Sequence, residues 1–121
     1  MTKLINKLNK LKNDLQIKKS YNDLDKLYNN SYYNYIVKYI DTAISEISSD
    51  VINCSNLSLK ILEYTSLIDT LIEKRKNVEN FNNKNSTIER AKITSYIDFL
   101  TQFKDMLNDE IGEELKNTYK K

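Results

Sequence analysis

Apolar side chains recur along most of the chain at intervals of three and four residues, with polar residues between them. This spacing places the apolar side chains on one face of a helix, which is then buried against a neighbour. The pattern predicts helices near residues 2–18, 22–48, 56–79 and 87–117. We therefore expect an all-α fold, a bundle of four long amphipathic helices, with residues 1–121 forming a single domain.

The first predicted helix carries a regular leucine seam and stands apart from the 22–117 bundle. Its leucines alternate spacings of four and three, as in the a/d seam of a coiled coil. They are Leu4, Leu8, Leu11 and Leu15. A helix this short is marginal in water without a partner surface. We expect it to dock on the bundle or on a neighbouring subunit.

The predicted core gathers the apolar residues that follow the helical spacing most closely in the last three helices. These are Ile36, Ile40, Ile44, Ile61, Leu62, Ile68, Leu71, Ile97, Leu100, Phe103 and Leu107. The most specific local signal is the sequence Ser86-Thr87-Ile88-Glu89, which matches a capping box. In that motif the Ser and Glu side chains each satisfy a free backbone N–H. It predicts that the last helix begins beside Ser86.

Composition supports helices and argues against a sheet. The chain has one Gly and no Pro, so it lacks the residues that tight hairpin turns usually require. We expect no β domain.

The missing residue types exclude most catalytic and metal chemistry. The chain has no His, and Cys54 is its one thiol, so Ser–His and Cys–His pairs and His/Cys zinc sites cannot form within it. One glycine, Gly112, cannot build a phosphate-binding loop. We expect a protein that is not an enzyme and uses no cofactor or metal.

The sequence predicts neither a membrane span nor a signal peptide. No stretch approaches the roughly 18 apolar residues of a membrane span, and the basic N-terminus lacks the apolar segment of a signal peptide. A single cysteine excludes an intrachain disulfide, which fits a reducing compartment. We expect a cytoplasmic protein without membrane contact.

Tyrosines are concentrated between residues 21 and 39, where six occur. At helical spacing such residues serve the core, or they form an interface that extends from it, because Tyr combines a large ring with a polar tip. Tyr33 lies off the apolar stripe and is the better candidate for exposure. The candidate interface comprises three of these tyrosines, two phenylalanines of the last helix and the leucine seam: Tyr33, Tyr35, Tyr39, Phe99, Phe103, Leu4, Leu8, Leu11 and Leu15.

Charge is distributed unevenly. Residues 1–20 hold six Lys and one Asp, whereas residues 98–114 hold six acids and one Lys. Such runs form solvated helix faces, or they complement each other within the chain or between subunits. A candidate basic patch, Lys74, Arg75 and Lys76, ends the third predicted helix. Cations there favour the helix dipole, and three basic residues are weak evidence for phosphate contact. We expect direct nucleic-acid binding to be weak or absent.

Three segments together resemble the helical A domain of a GINS subunit. Residues 24–44 place Leu24 and Leu27 before the aromatic pair Tyr32-Tyr33 and an apolar helix. Residues 67–76 are similar to a long central helix that ends in a basic cluster, and residues 93–111 resemble the helix that follows it. The resemblance covers about residues 20–115 and is a pattern of residue types without a diagnostic motif.

The resemblance implies a subunit of a tetrameric scaffold that joins the replicative DNA helicase to its accessory factors. GINS subunits usually carry a small β domain as well, for which 121 residues leave no room. A second interpretation belongs to another class, a small helical immunity or inhibitor protein that blocks one partner. Both interpretations predict a non-catalytic protein that works through protein partners, in a homo- or hetero-oligomer for the scaffold and as a monomer for the inhibitor.

Overall fold

The computed structural model describes residues 1–119 and contains four helices and no strand in that range. They are α1 (Thr2–Asp14), α2 (Asp23–Ser48), α3 (Leu57–Lys76) and α4 (Lys84–Tyr119). The predicted all-α architecture of four packed helices is confirmed. The predicted domain also included residues 120 and 121, which lie outside the described residues.

The helix ends follow local capping more closely than the apolar pattern. Helix α1 stops at Asp14, four residues before the predicted end, because Leu15 adopts an extended conformation with ψ of 139°. Helix α2 begins where Asn22 Oδ1 accepts a 2.8 Å hydrogen bond from the backbone N–H of Asp25. Helix α3 ends at Lys76, three residues before the predicted end at residue 79.

The predicted start of α4 at a Ser86 capping box is wrong. Asn83 Oδ1 accepts a 2.8 Å hydrogen bond from the backbone N–H of Ser86, which makes Asn83 the N-cap and Lys84 the first helical residue. Asn caps a helix as well as Ser does, and the earlier start adds almost a turn of helix. Ser86 therefore lies inside the helix that it was predicted to cap.

Helix α4 is the centre of the fold. Helices α2 and α3 both pack along it, whereas within the described residues no Cα of α2 lies within 8 Å of a Cα of α3. Helix α3 runs antiparallel to α4, with Tyr64 beside Phe103 and Val78 beside Arg90. Helix α1 contacts α2 and α4. The molecule is therefore a bundle with an open side between α2 and α3.

The core lies mainly where α1, α2 and α3 meet α4. Its buried apolar members include Leu4, Leu8, Ile36, Ile40, Ile52, Leu57, Leu71, Ile93, Ile97, Phe99, Leu100, Phe103 and Leu107. Ile44, Ile61 and Ile68 are partly buried and pack against them. Leu62 was predicted to be buried and is 68% exposed, because it lies on the side of α3 that faces away from α4.

The leucine seam of α1 is used inside the chain. Leu4 and Leu8 are fully buried, and Leu11 and Leu15 pack at the edge of the same core. This helix was predicted to dock on the bundle or on a neighbouring subunit. In the structure it docks on the bundle.

The basic and acidic runs also pair within the chain. Lys3 Nζ lies 3.7 Å from Glu113 Oε1, and Lys7 Nζ lies 3.7 Å from Asp109 Oδ2. These contacts join α1 to the C-terminal part of α4. They are exposed pairs, and such pairs contribute little to stability, so they orient α1 more than they hold it.

Candidate binding groove

Six aromatic rings from three helices form a connected ladder across the open side of the bundle. Tyr39 of α2 stacks on Tyr96 of α4 with centroids 4.3 Å apart, and Tyr64 of α3 lies 5.7 Å from Phe103. Tyr35, Tyr39, Tyr64, Tyr96, Phe99 and Phe103 are its members. Neighbouring rings therefore connect α2 to α3 through α4, although among residues 1–119 no Cα of α2 lies within 8 Å of a Cα of α3.

The spacing of the α4 rings explains why they share one side of the helix. Tyr96, Phe99 and Phe103 stand at i, i+3 and i+7 and therefore lie on one face. Phe99 and Phe103 stack at 5.3 Å and are 3% and 1% exposed. They form a rigid apolar base, on which Tyr39 and Tyr64 rest from opposite sides.

A groove of about 170 Å³ lies above this base. It exists because α2 and α3 pack on α4 and leave a gap between themselves. Ten residues from the three helices line it: Tyr39, Thr42, Ala43, Glu46, Lys60, Tyr64, Tyr96, Phe99, Leu100 and Phe103.

The groove combines an unpaired carboxylate with free phenol groups. Among residues 1–119, no cation lies within 4 Å of the Glu46 carboxylate, and no side-chain hydrogen bond reaches it. The hydroxyls of Tyr39, Tyr64 and Tyr96 also lack a protein partner in this range, and none of these polar atoms is sealed from solvent. Their hydrogen-bonding capacity is therefore available to a guest.

Burial and the Glu46 charge keep these phenols protonated. Burial is the main cause that raises the pKa of Tyr64 and Tyr96, and the negative charge of Glu46 is the next cause for both. Burial, followed by the neighbouring Tyr96 and Tyr35, raises the pKa of Tyr39 to about 12. At neutral pH these three phenols are therefore neutral hydroxyls.

Lys60 is the one basic side chain among the residues that line the groove. Its ammonium lies 3.3 Å from Glu63 Oε2, one turn further along α3. That ion pair engages the Lys60 ammonium, and among residues 1–119 the Glu46 carboxylate has no cation within 4 Å.

The predicted aromatic interface is only partly at the surface. Tyr33, Tyr35 and Tyr39 are partly exposed, and Tyr39 lines the groove. Phe99 and Phe103 were predicted as interface anchors, but they belong to the core because α2 and α3 cover them from both sides. They support the groove from beneath.

The predicted basic patch lies in the last turn of α3, as the sequence indicated. Lys74 and Lys76 are exposed, and Arg75 is partly exposed. Lys76 Nζ lies 3.1 Å from Glu73 Oε1. The three cations are placed where the helix dipole favours positive charge, so their position has a structural cause.

Sequence reasoning missed Glu46, Lys60 and Tyr64 as groove residues. Tyr64 continues the stripe of Leu57 and Ile61 on α3, so the helical spacing alone contains the signal that it faces α4. Glu46 falls on the polar side of the second predicted helix, and nothing in the local sequence of Glu46 or Lys60 distinguishes them.

Two further kinds of feature are absent from the described residues, metal-binding clusters and membrane-spanning helices. Within residues 1–119, no three Cys, Asp or Glu side chains lie close enough together to hold a metal ion. Over the same range, no helix combines the length and the apolar character needed to cross a membrane.

Comparison of the chain with protein-family models, with curated proteins and with solved structures finds no match. A function is therefore proposed from the surfaces of this molecule and from the sequence pattern.

Proposed function

We propose that this chain is a non-catalytic protein-binding subunit that engages its partner through the outer side of α3. One observation carries the proposal. Among the helices of residues 1–119, α3 packs on α4 alone, and it presents Leu59, 57% exposed, and Leu62, 68% exposed, on the side turned away from the bundle.

The neighbours of these leucines make the surface suitable for a helix. Residues 58, 59, 62, 65 and 66 fall within about 120° of each other around α3, and all are uncharged. Ser58, Thr65 and Ser66 are small, so another helix can approach closely. We call these five residues the leucine face. A face that carries two exposed leucines and rests on no second helix suits the apolar side of a partner helix.

The most specific form of the proposal is an assembly subunit of the replication helicase. The resemblance of residues 24–44, 67–76 and 93–111 to the helical A domain of GINS supports it. In that form the leucine face binds a sister subunit, and the protein is an oligomer in the cytoplasm.

A second candidate, an immunity or inhibitor protein, is favoured by a different observation. The leucine seam of α1 and two of its lysines are engaged within the chain, by the core and by Asp109 and Glu113. A chain that covers these surfaces by itself needs no second copy. It would act as a monomer on one target.

Affinity capture from native lysate with quantitative mass spectrometry tests the proposal. The bait is compared with Leu59→Ser/Leu62→Ser and with the control Ile17→Ser/Phe81→Ser, which removes apolar side chains of similar exposure outside α3. Loss of a captured protein in the first variant and retention in the control support the leucine face. Equal capture by both variants, or turnover of a substrate by the chain, contradicts it.

Mass measurement of the purified chain in solution separates the two candidates. A tetramer, or a stable complex with a captured replication protein, supports the scaffold. A monomer that captures a single toxin or enzyme through the leucine face supports the inhibitor.

A further inference from the structure

We infer that the groove between α2 and α3 receives an arginine side chain of the protein partner. This inference rests on the proposed function, because it assigns a second, polar contact to the same partner. Four features of the groove support it: its size, its charge, its aromatic walls and its place beside the leucine face.

The size of the groove suits one side chain. Its volume of about 170 Å³ is close to the ~150 Å³ of an apolar cavity that accommodates benzene. A guanidinium with its apolar stem is of that order. The groove is open on one side, so a side chain from another molecule can enter while its backbone stays outside.

The Glu46 carboxylate is the group in the groove that can bind a cation. Glu46 has no counter-charge within 4 Å among the described residues, although it lies in a cleft with three tyrosines. A carboxylate in this setting gains most from a partner that brings both charge and hydrogen-bond donors. An anionic or purely apolar guest would offer that carboxylate neither a counter-charge nor a hydrogen-bond donor.

The aromatic walls favour arginine over lysine. A guanidinium is planar, stacks on aromatic faces and can bind a carboxylate through two parallel hydrogen bonds, whereas an ammonium is a compact and strongly hydrated charge. Tyr39 and Tyr96 form stacked walls, and Tyr64 closes the α3 side. Their phenol oxygens can accept further N–H donors of the guanidinium.

Lys60 is the residue that competes for the same carboxylate. The Lys60 ammonium lies 3.3 Å from Glu63 Oε2, and Glu63 is the more exposed of the two side chains. We therefore expect Glu63→Gln to release Lys60 toward Glu46 and to weaken arginine binding, although Glu63 does not line the groove.

The groove and the leucine face border the same half of α3. Lys60 follows Leu59 directly in sequence and lies about 100° from it around the helix, so the Lys60 side of the groove is next to the Leu59 edge of the leucine face. A long side chain of a partner helix that is seated at Leu59 therefore has to reach around α3, past Lys60, to enter the groove.

The test is a titration of the full chain with N-acetyl-arginine methylamide. Two-dimensional amide NMR spectra monitor the titration. The analogues with citrulline and with lysine serve as comparison ligands. We expect saturable shifts at groove residues with the arginine compound, in the millimolar range. The neutral citrulline compound has nearly the same shape, and we expect it to cause no saturable shift.

Three variants assign the effect to the carboxylate. Glu46→Gln should weaken arginine binding at least about tenfold, as expected for loss of a charge-assisted contact. Glu63→Gln should weaken it to a smaller extent. Glu79→Gln makes the same chemical change at an exposed loop position outside the groove and should bind as the parent chain does.

The outcomes separate this inference from the proposed function. Equal binding of the arginine and citrulline compounds, equal binding of arginine and lysine, or full binding by Glu46→Gln overturns the arginine site. Any of these results leaves the leucine face standing if Leu59→Ser/Leu62→Ser still abolishes partner capture. Conversely, arginine binding that depends on Glu46 persists even if the leucine face captures nothing.

Discussion

The hydroxyl of Tyr32 donates a hydrogen bond to the Asp98 carboxylate across 2.5 Å and so joins the middle of α2 to the middle of α4. Burial is the main cause that raises the pKa of Tyr32, and the hydrogen bond to Asp98 is the next. The phenol therefore remains a donor throughout the neutral range. This contact fixes the register of the two helices, on which the position of Tyr39 against Tyr96 depends.

Tyr32→Phe is expected to lower the free energy of unfolding by about 1.5 kcal/mol, since a hydrogen bond to a charged group is lost and Asp98 keeps its burial. Urea denaturation followed by circular dichroism measures the change. Tyr33→Phe is the matched control, because within residues 1–119 its hydroxyl has no hydrogen-bond partner. A loss of equal size in both variants would show that the Asp98 contact is not the cause.

The cap of α4 provides a second paired test. Asn83→Ala removes the side chain that accepts from the backbone N–H of Ser86 and should cost about 1 kcal/mol. Ser86→Ala leaves that bond in place and should cost less than about 0.5 kcal/mol. Thermal unfolding of the two variants distinguishes them. A larger loss for Ser86→Ala than for Asn83→Ala would instead support the capping box at Ser86 that the sequence predicted.

The apolar spacing was sufficient to predict the fold class because each helix buries a stripe. It was less informative at helix ends, where short-range hydrogen bonds decide. Asn83 and Ser86 are both good caps three residues apart, and the choice between them depends on which start gives the longer helix. Leu15 fits the seam of α1, yet the helix ends before it. An apolar position therefore marks burial and not helical conformation.

The groove was beyond prediction for a physical reason. A stripe shows which face of a helix is covered, but it does not show what covers it. Phe99 and Phe103 look like interface aromatics in the sequence, and only the packing of α2 and α3 on either side of α4 places them in the core. Glu46 is a groove residue because it lies near Tyr64 and Tyr96 in the fold, although they follow it by 18 and 50 positions in the sequence.

Leu100 and Leu62 test the division between the core and the leucine face. Leu100 is 1% exposed, and Leu100→Ala should cost about 2–5 kcal/mol because it leaves a cavity beside Phe103. Leu62 is 68% exposed, so Leu62→Ala should change the free energy of unfolding by less than about 0.5 kcal/mol. Urea unfolding of the isolated chain is the measurement. A cost above 2 kcal/mol for Leu62→Ala would place Leu62 in a buried contact and contradict the leucine face.

The partly buried tyrosines make the fold sensitive to alkaline pH. A tyrosine has a pKa of about 10 in an unfolded chain, whereas burial raises the pKa of Tyr39 to about 12 in the fold and also raises those of Tyr32 and Tyr64. Above pH 10 the folded chain therefore holds more protons than the unfolded chain. Stability falls with rising pH wherever the folded state binds more protons. The tyrosine contribution is thus fully present below about pH 10 and is lost as the pH rises further.

Tyr39→Phe assigns part of this alkaline loss to one phenol. Within residues 1–119 the hydroxyl of Tyr39 has no protein partner, so the variant should fold and keep its ring on Tyr96. We expect the free energy of unfolding to decline less steeply with pH than in the parent chain above about pH 10. Both chains carry the same other titratable groups, so the difference between the two slopes isolates Tyr39. Tyr21→Phe is the control: that ring is 83% exposed and changes its surroundings little on folding, so its slope should match the parent. Urea unfolding at intervals from pH 8 to 11.5 gives all three curves, and parallel curves for Tyr39→Phe and the parent would show that burial of this phenol in the groove has no energetic consequence.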